Sequence, residues 1–135
     1  MLSKPIEQGF KFHCPAGHSY IWDSHLTSNQ VGPDHVPAVN GLTSTGEVVY
    51  HLLSKLPLSR YWVVYLDSFY TSLPLLGRIR HDFKIGTCGT AHPNSVGFPI
   101  ELKIPKQDVN KHKYHSLKTM MLKDPHFNQE VGAQT

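Results

Sequence analysis

Long apolar runs are missing from this chain. None of its 135 residues belongs to a stretch near the roughly 18–20 apolar residues that a membrane-spanning helix needs. The opening "MLSKPIEQGF" has no apolar core of the signal-peptide kind. Cysteine is scarce: Cys14 and Cys88 are too few and too far apart for a disulfide framework, which places the chain inside the cell. Charge is scarce as well. At 17% charged residues and a net charge of +3, a negatively charged partner is permitted but not demanded. There is no C-x-x-C pair. "HCPAGH", with His13, Cys14 and His18, is therefore a poor zinc pattern even if Cys88 is added as a fourth ligand. Ten histidines are present, but none accompanies a recognisable Ser or Cys nucleophile motif.

What remains is ordinary globular material, 39% hydrophobic, enough for one modest core. Ten Gly and ten Pro punctuate it heavily, and "NQVGPDHVPAVNG" (29–41) reads as one long loop. "GFKFHCPA" (9–16) and "HSYIWDSHLT" (18–27) read as two strands of a hairpin, with Tyr20 and Trp22 on one face. "STGEVVYHLLSKLP" (44–57) is a helix. Ser44 or Thr45 is expected to cap it and Glu47 to supply first-turn negative charge. Its stripe is Val48, Val49, Leu52, Leu53 and Leu56, and Pro57 stops it.

Tyr61–Leu66 is then a strand, apolar on both faces, which predicts burial inside a covered parallel sheet. "TSLPLLGRIRHDF" (71–83) is a second helix, with Thr71 or Ser72 as cap and Pro74 in the first turn. Leu75, Leu76, Ile79 and Phe83 form its buried side. "KIGTCGTA" (84–91) is a further short strand. The order is hairpin, helix, strand, helix, strand: an α/β layout with a parallel crossover. After residue 105 the pattern turns polar, with a short helix expected around Ser116–Leu122. The tail lysines, Lys106, Lys111, Lys113, Lys118 and Lys123, read first as solvated surface and second as nucleic-acid contacts.

One residue does not suit a buried strand. Asp67 ends the apolar run, on the face shared by Val63 and Tyr65. In open α/β sheets the carboxyl ends of strands are where sites are built. Capping a turn is the plainer use of such a residue. A lone carboxylate does not hold a divalent cation, which wants several oxygen ligands.

Three stretches together resemble the catalytic domain of PiggyBac-type transposases. The entry "KPIEQGFK" matches through Lys4, Pro5, Gly9 and Lys11. "LDSFYTSLPLL" matches through Asp67, Tyr70, Thr71, Ser72, Pro74 and Leu75, with Ser68 where the family has Asn. "CGTAHPNSVGFP" matches through Gly89, Thr90, Asn94 and Pro99. The resemblance covers about residues 4–105, leaving 106–135 as a polar tail leading towards a further part of the family domain. It implies an RNase H-like fold with strand order 3-2-1-4-5. In that fold three aspartates hold two Mg²⁺ or Mn²⁺ ions for cleaving and joining DNA, and Asp67 matches the second of them. The first would lie upstream of Lys4 and the third beyond the tail, so the chain is expected to lack the first central strand and the C-terminal part.

The resemblance thus implies a truncated transposase domain, catalytically inactive by itself and with no cation stably bound. It also implies a nuclear location, weak or ancestral DNA contact, and self-association through unpaired strand edges. The alternative is a retained non-catalytic module that binds DNA or protein; another chain supplying the missing aspartates is a third reading. Lys4, Lys11, Thr90, His92 and Asn94 are the residues it offers for nucleic acid. His92 stands where the family has Arg, and Ser95 and Val96 replace commonly basic positions.

Overall fold

The structure is a computed structural model that describes residues 11–18, 20–26, 35–104, 119–123 and 130–134. It divides into two compact units, Met1–Pro57 and Leu58–Thr135.

In the first unit the expected hairpin forms as two short antiparallel ladders. Strand β1 (Phe12–His13) pairs with β4 (His25–Leu26), and β2 (Ala16–Gly17) pairs with β3 (Tyr20–Ile21). The registers of the two ladders differ by one residue. The Trp22 amide donates to the Pro15 carbonyl at 3.0 Å, while His13 faces His25. Asp23 and Ser24 therefore stand together opposite Cys14, a β-bulge that bends the hairpin midway. The Tyr20 and Trp22 rings meet edge to face at 4.9 Å, as their shared strand face predicts.

Helix α1 (Ser44–Ser54) follows. Its cap is Thr43, one residue before the expected pair: the Thr43 hydroxyl accepts from the Gly46 amide at 3.2 Å. Glu47 stays in the first turn and also accepts from the Val39 amide at 2.9 Å, tying the preceding loop to the helix. Val49, Leu52, Leu53 and Leu56 are buried, and Val48 is half-buried at the margin of the stripe.

The second unit contains a parallel β-α-β element. Strand β5 (Val63–Leu66) leads through α2 (Leu73–Phe83) to β6 (Gly86–Gly89), and the two strands pair in parallel from Val63↔Gly86 to Leu66↔Gly89. Ser72 occupies the N-cap position of α2, with Pro74 in the first turn. The helix ends on Lys84 in the left-handed region (φ 57°). Leu75 and Ile79 are fully buried together with Ile85, and Leu102 in a short 3₁₀ turn (Ile100–Leu102) is buried as well.

Strand β5 departs from the expectation of burial on both faces. Val64 and Leu66 are half-buried, but Val63 and Tyr65 are open, at 61% and 79% exposed. Parallel strands are buried on both faces only where helices cover both, and α2 is the one α-helix of this unit among the described residues.

The tail is a further correction. Where a helix was expected around Ser116–Leu122, strand β7 (Thr119–Lys123) pairs antiparallel with β8 (Glu130–Gln134). A five-residue strand with three apolar residues, Met120–Leu122, and no helical period takes its state from what it pairs with, and the partner strand carries no sequence signal beyond its valine.

Candidate functional site at the carboxyl end of strands β5 and β6

Because β5 and β6 are parallel and in register, both chains leave the sheet at the same end. Asp67 follows Leu66 there, and Thr90 follows Gly89. The topology thus brings Asp67 to the edge where the segment Thr90–Asn94 begins.

The turn after Asp67 is tightly bound to itself. The Asp67 carbonyl accepts from the amides of Tyr70 (2.9 Å) and Thr71 (3.1 Å) and from the Thr71 hydroxyl (2.9 Å). The same hydroxyl lies 3.3 Å from the Leu66 carbonyl. Thr71 is buried although polar, and these contacts satisfy it. The Asp67 side chain is exposed, and one carboxylate oxygen accepts from the Ser68 amide at 2.5 Å. This fits the plain turn-capping use, and it leaves the second oxygen for another task.

Gly89 meets the same lock. A Cβ there would press on the Thr71 hydroxyl and lie 2.8 Å from the Leu66 carbonyl oxygen. Beyond it, Thr90, His92 and Asn94 are all exposed. His92 Nδ1 accepts from the Asn94 amide at 3.1 Å and the His92 carbonyl from the Ser95 amide at 2.8 Å, so this imidazole shapes its own turn. Lys11 is exposed in the other unit, and Lys4 lies outside the described residues.

Asp67 is a single carboxylate, whereas a two-cation centre takes several oxygen ligands. Among the described residues no three His, Cys, Asp or Glu side chains are grouped to hold a metal ion. The set described therefore does not fit a pair of divalent cations, which need several oxygen ligands between them. Of the residues in the zinc pattern, His13 is buried, while Cys14 and Cys88 are exposed free thiols.

A second polar cluster, in the first unit, had no motif to announce it. The His13 and His25 rings lie 6.5 Å apart and those of His25 and His51 6.4 Å apart. Burial, then Lys11 and His25, hold the His13 pKa below its usual value. Burial, then Lys55 and His25, lower that of His51, against a smaller opposing pull from Asp23. Asp23 pairs with Lys55 at 2.6 Å and accepts from the Ser24 amide at 2.8 Å, which lowers its own pKa. This cluster joins the bulged hairpin to α1.

The fold and its edge define an α/β arrangement in which Asp67 and the polar residues Thr90, His92 and Asn94 follow the carboxyl ends of the parallel strands. The family model described as Transposase IS4 matches residues 1–131, and the chain belongs to that family. No curated protein matches it. No solved structure matches it either. Among the described residues no helix is long and apolar enough to cross a membrane.

Proposed function

We propose that this chain is a PiggyBac-type portion of a transposase domain that handles DNA, with Asp67 as a metal-holding carboxylate. The carrying observation is the placement of Asp67 at the carboxyl end of β5, beside the strand end that opens into Thr90–Asn94. The bulged antiparallel hairpin and the parallel β5–β6 pair support an RNase H-like arrangement, in which those elements serve as strands 2-3 and 4-5. Among the described residues Asp67 has no second carboxylate grouped with it, and one carboxylate does not position two cations, so no cutting or joining of DNA is expected from them alone. Its DNA contact is weak and independent of sequence, because the edge offers Thr90, His92 and Asn94 rather than a row of Arg and Lys.

The test has two arms. Purified chain with Mg²⁺ or Mn²⁺ is expected to leave supercoiled plasmid intact; nicking abolished by Asp67→Ala would overturn the inactivity. Duplex binding by anisotropy is expected to weaken with salt along a shallow slope, as a few phosphate contacts dictate. Nanomolar, sequence-selective binding at physiological salt would favour a retained DNA-binding module instead.

A further inference from the structure

Asn40 and Asn94 are the asparagines among the described residues, and their surroundings differ. Asn40 and Gly41 are both exposed and form the corner of a turn closed by the Leu42 amide, which donates to the Val39 carbonyl at 3.1 Å. Gly41 holds φ at 85°, in the left-handed region, and beyond its chain neighbours no heavy atom of the described residues lies within 4 Å of where its Cβ would stand. Among the described residues no acceptor takes the Gly41 amide. At Asn94 the following amide is occupied: Ser95 donates to the His92 carbonyl at 2.8 Å, and the Asn94 amide itself donates to His92 Nδ1 at 3.1 Å. The Asn40 turn also stands at a joint. It lies just before Thr43, the cap of α1, and its Val39 amide donates to Glu47 of that helix at 2.9 Å.

We propose that Asn40–Gly41 is a self-modifying site, where the chain converts its own asparagine into aspartate and isoaspartate. The Gly41 nitrogen attacks the Asn40 side-chain carbon Cγ. A bond forms between them, the bond from Cγ to the side-chain nitrogen breaks, and that nitrogen leaves as ammonia with the proton that Gly41 gives up. Water then opens the cyclic imide on either side. Cleavage between Gly41 and Cγ leaves ordinary aspartate. Cleavage between Gly41 and the main-chain carbonyl carbon of residue 40 leaves isoaspartate, with the chain routed through the side chain and lengthened by a carbon. Glycine suits the attack because no Cβ crowds its nitrogen. The peptide plane must first turn towards the side chain, which costs the Leu42–Val39 hydrogen bond, a modest net loss in an exposed turn. The product unties what the turn holds. The added backbone carbon takes Leu42 away from the Val39 carbonyl and draws Val39 off Glu47, while α1 keeps its own cap at Thr43. This chemistry needs no DNA and stands apart from the proposed function.

The full chain is incubated at mildly alkaline pH. Peptide mass spectrometry follows both asparagines, and isoaspartate is scored by methyl transfer from an isoaspartate-directed methyltransferase. Asn40 is expected to convert about tenfold faster than Asn94 or more, since freeing an amide from a hydrogen bond alone slows attack by up to roughly tenfold. Asn40→Gln, whose longer side chain would need a larger ring, should abolish methyl acceptance at this position. Amide exchange should show Val39 and Leu42 losing protection in the converted fraction. Asn40→Asp, which adds the charge without lengthening the chain, should keep it. Asn40 left intact while a synthetic peptide of residues 36–45 converts would overturn the site, as would equal rates at Asn40 and Asn94 or methyl acceptance persisting in Asn40→Gln. Unchanged protection of Val39 and Leu42 after conversion, or the same loss in Asn40→Asp, would overturn the untying.

Discussion

Replacing Gly89 with alanine adds one methyl group at the tightest point of the second unit. That methyl would meet two atoms with little room to retreat. The Thr71 hydroxyl is held by the carbonyls of Leu66 and Asp67, and the Leu66 carbonyl oxygen, 2.8 Å from the new carbon, is backbone in the paired strand itself. Relief requires either turning Thr71 away from its acceptors in a buried position or prising β6 from β5. Overpacking of this kind costs about 1–3 kcal/mol, a large part of the roughly 5–15 kcal/mol that keeps a domain folded. Gly86, three residues earlier in the same strand, supplies the comparison. A Cβ there would approach Val63 Cγ2 at 3.3 Å and the Trp62 carbonyl at 3.5 Å, and the first of these is the tip of a side chain. Gly86→Ala should cost less than about 1 kcal/mol, since a strand glycine carries its own entropic penalty. Amide exchange of Val64, Tyr65 and Leu66 reports this unit selectively. Protection in Gly89→Ala should fall by a factor of roughly 5 to 150 and in Gly86→Ala by much less. Equal protection in wild type and Gly89→Ala, or a larger loss at Gly86, would refute the clash.

Three further outcomes can be checked. The first unit should lose stability as pH falls through about 6.5. Folded His13 and His51 bind protons less readily than unfolded histidines, so the unfolded state takes up more protons in that window while stability above it is untouched. Exchange of the Val49–Leu53 amides between about pH 7.5 and 5.5, corrected for intrinsic rates, measures this, and His51→Gln should flatten the dependence. Thr43→Ala should cost about 0.5–2 kcal/mol by removing the side-chain acceptor at the α1 N-terminus; a urea midpoint unchanged at constant slope would contradict the cap assignment. Asp67→Asn should shift stability by no more than about 0.5 kcal/mol, because the side chain is exposed and the amide oxygen still accepts from Ser68; titration calorimetry should show no tight Mg²⁺ or Mn²⁺ binding in either form.

Elements with a strong local signature could be read from the sequence. The α1 stripe and Pro57 fixed one helix to within a few residues, and Pro74 with Leu75 and Ile79 fixed the other. Asp67 could be placed because an apolar run ended on it. Thr43 was overlooked because three consecutive positions, Thr43, Ser44 and Thr45, carry a capping hydroxyl, and only backbone geometry chooses among them. The β7–β8 pair was missed because pairing between segments leaves no period in either one alone. The open face of β5 was misread for a related reason: Val63 and Tyr65 are strand formers whether or not anything covers them, and cover is a tertiary property. The His13–His25–His51 cluster joins three elements, so no spacing within any one of them could reveal it.

The parallel pairing of β5 with β6 also bears on the order in which this protein is made. In a hairpin such as β2–β3 only two residues separate the paired strands, so its contacts are available almost as soon as its second strand exists. Val63 has no such neighbour. Its partner, Gly86, lies on the far side of α2, and the chain between them must be ordered before their first hydrogen bond forms. On a ribosome, β5 is therefore synthesised with its pairing edge waiting and the face of Val64 and Leu66 still uncovered, and Asp67 comes level with Thr90 only once Gly89 has emerged.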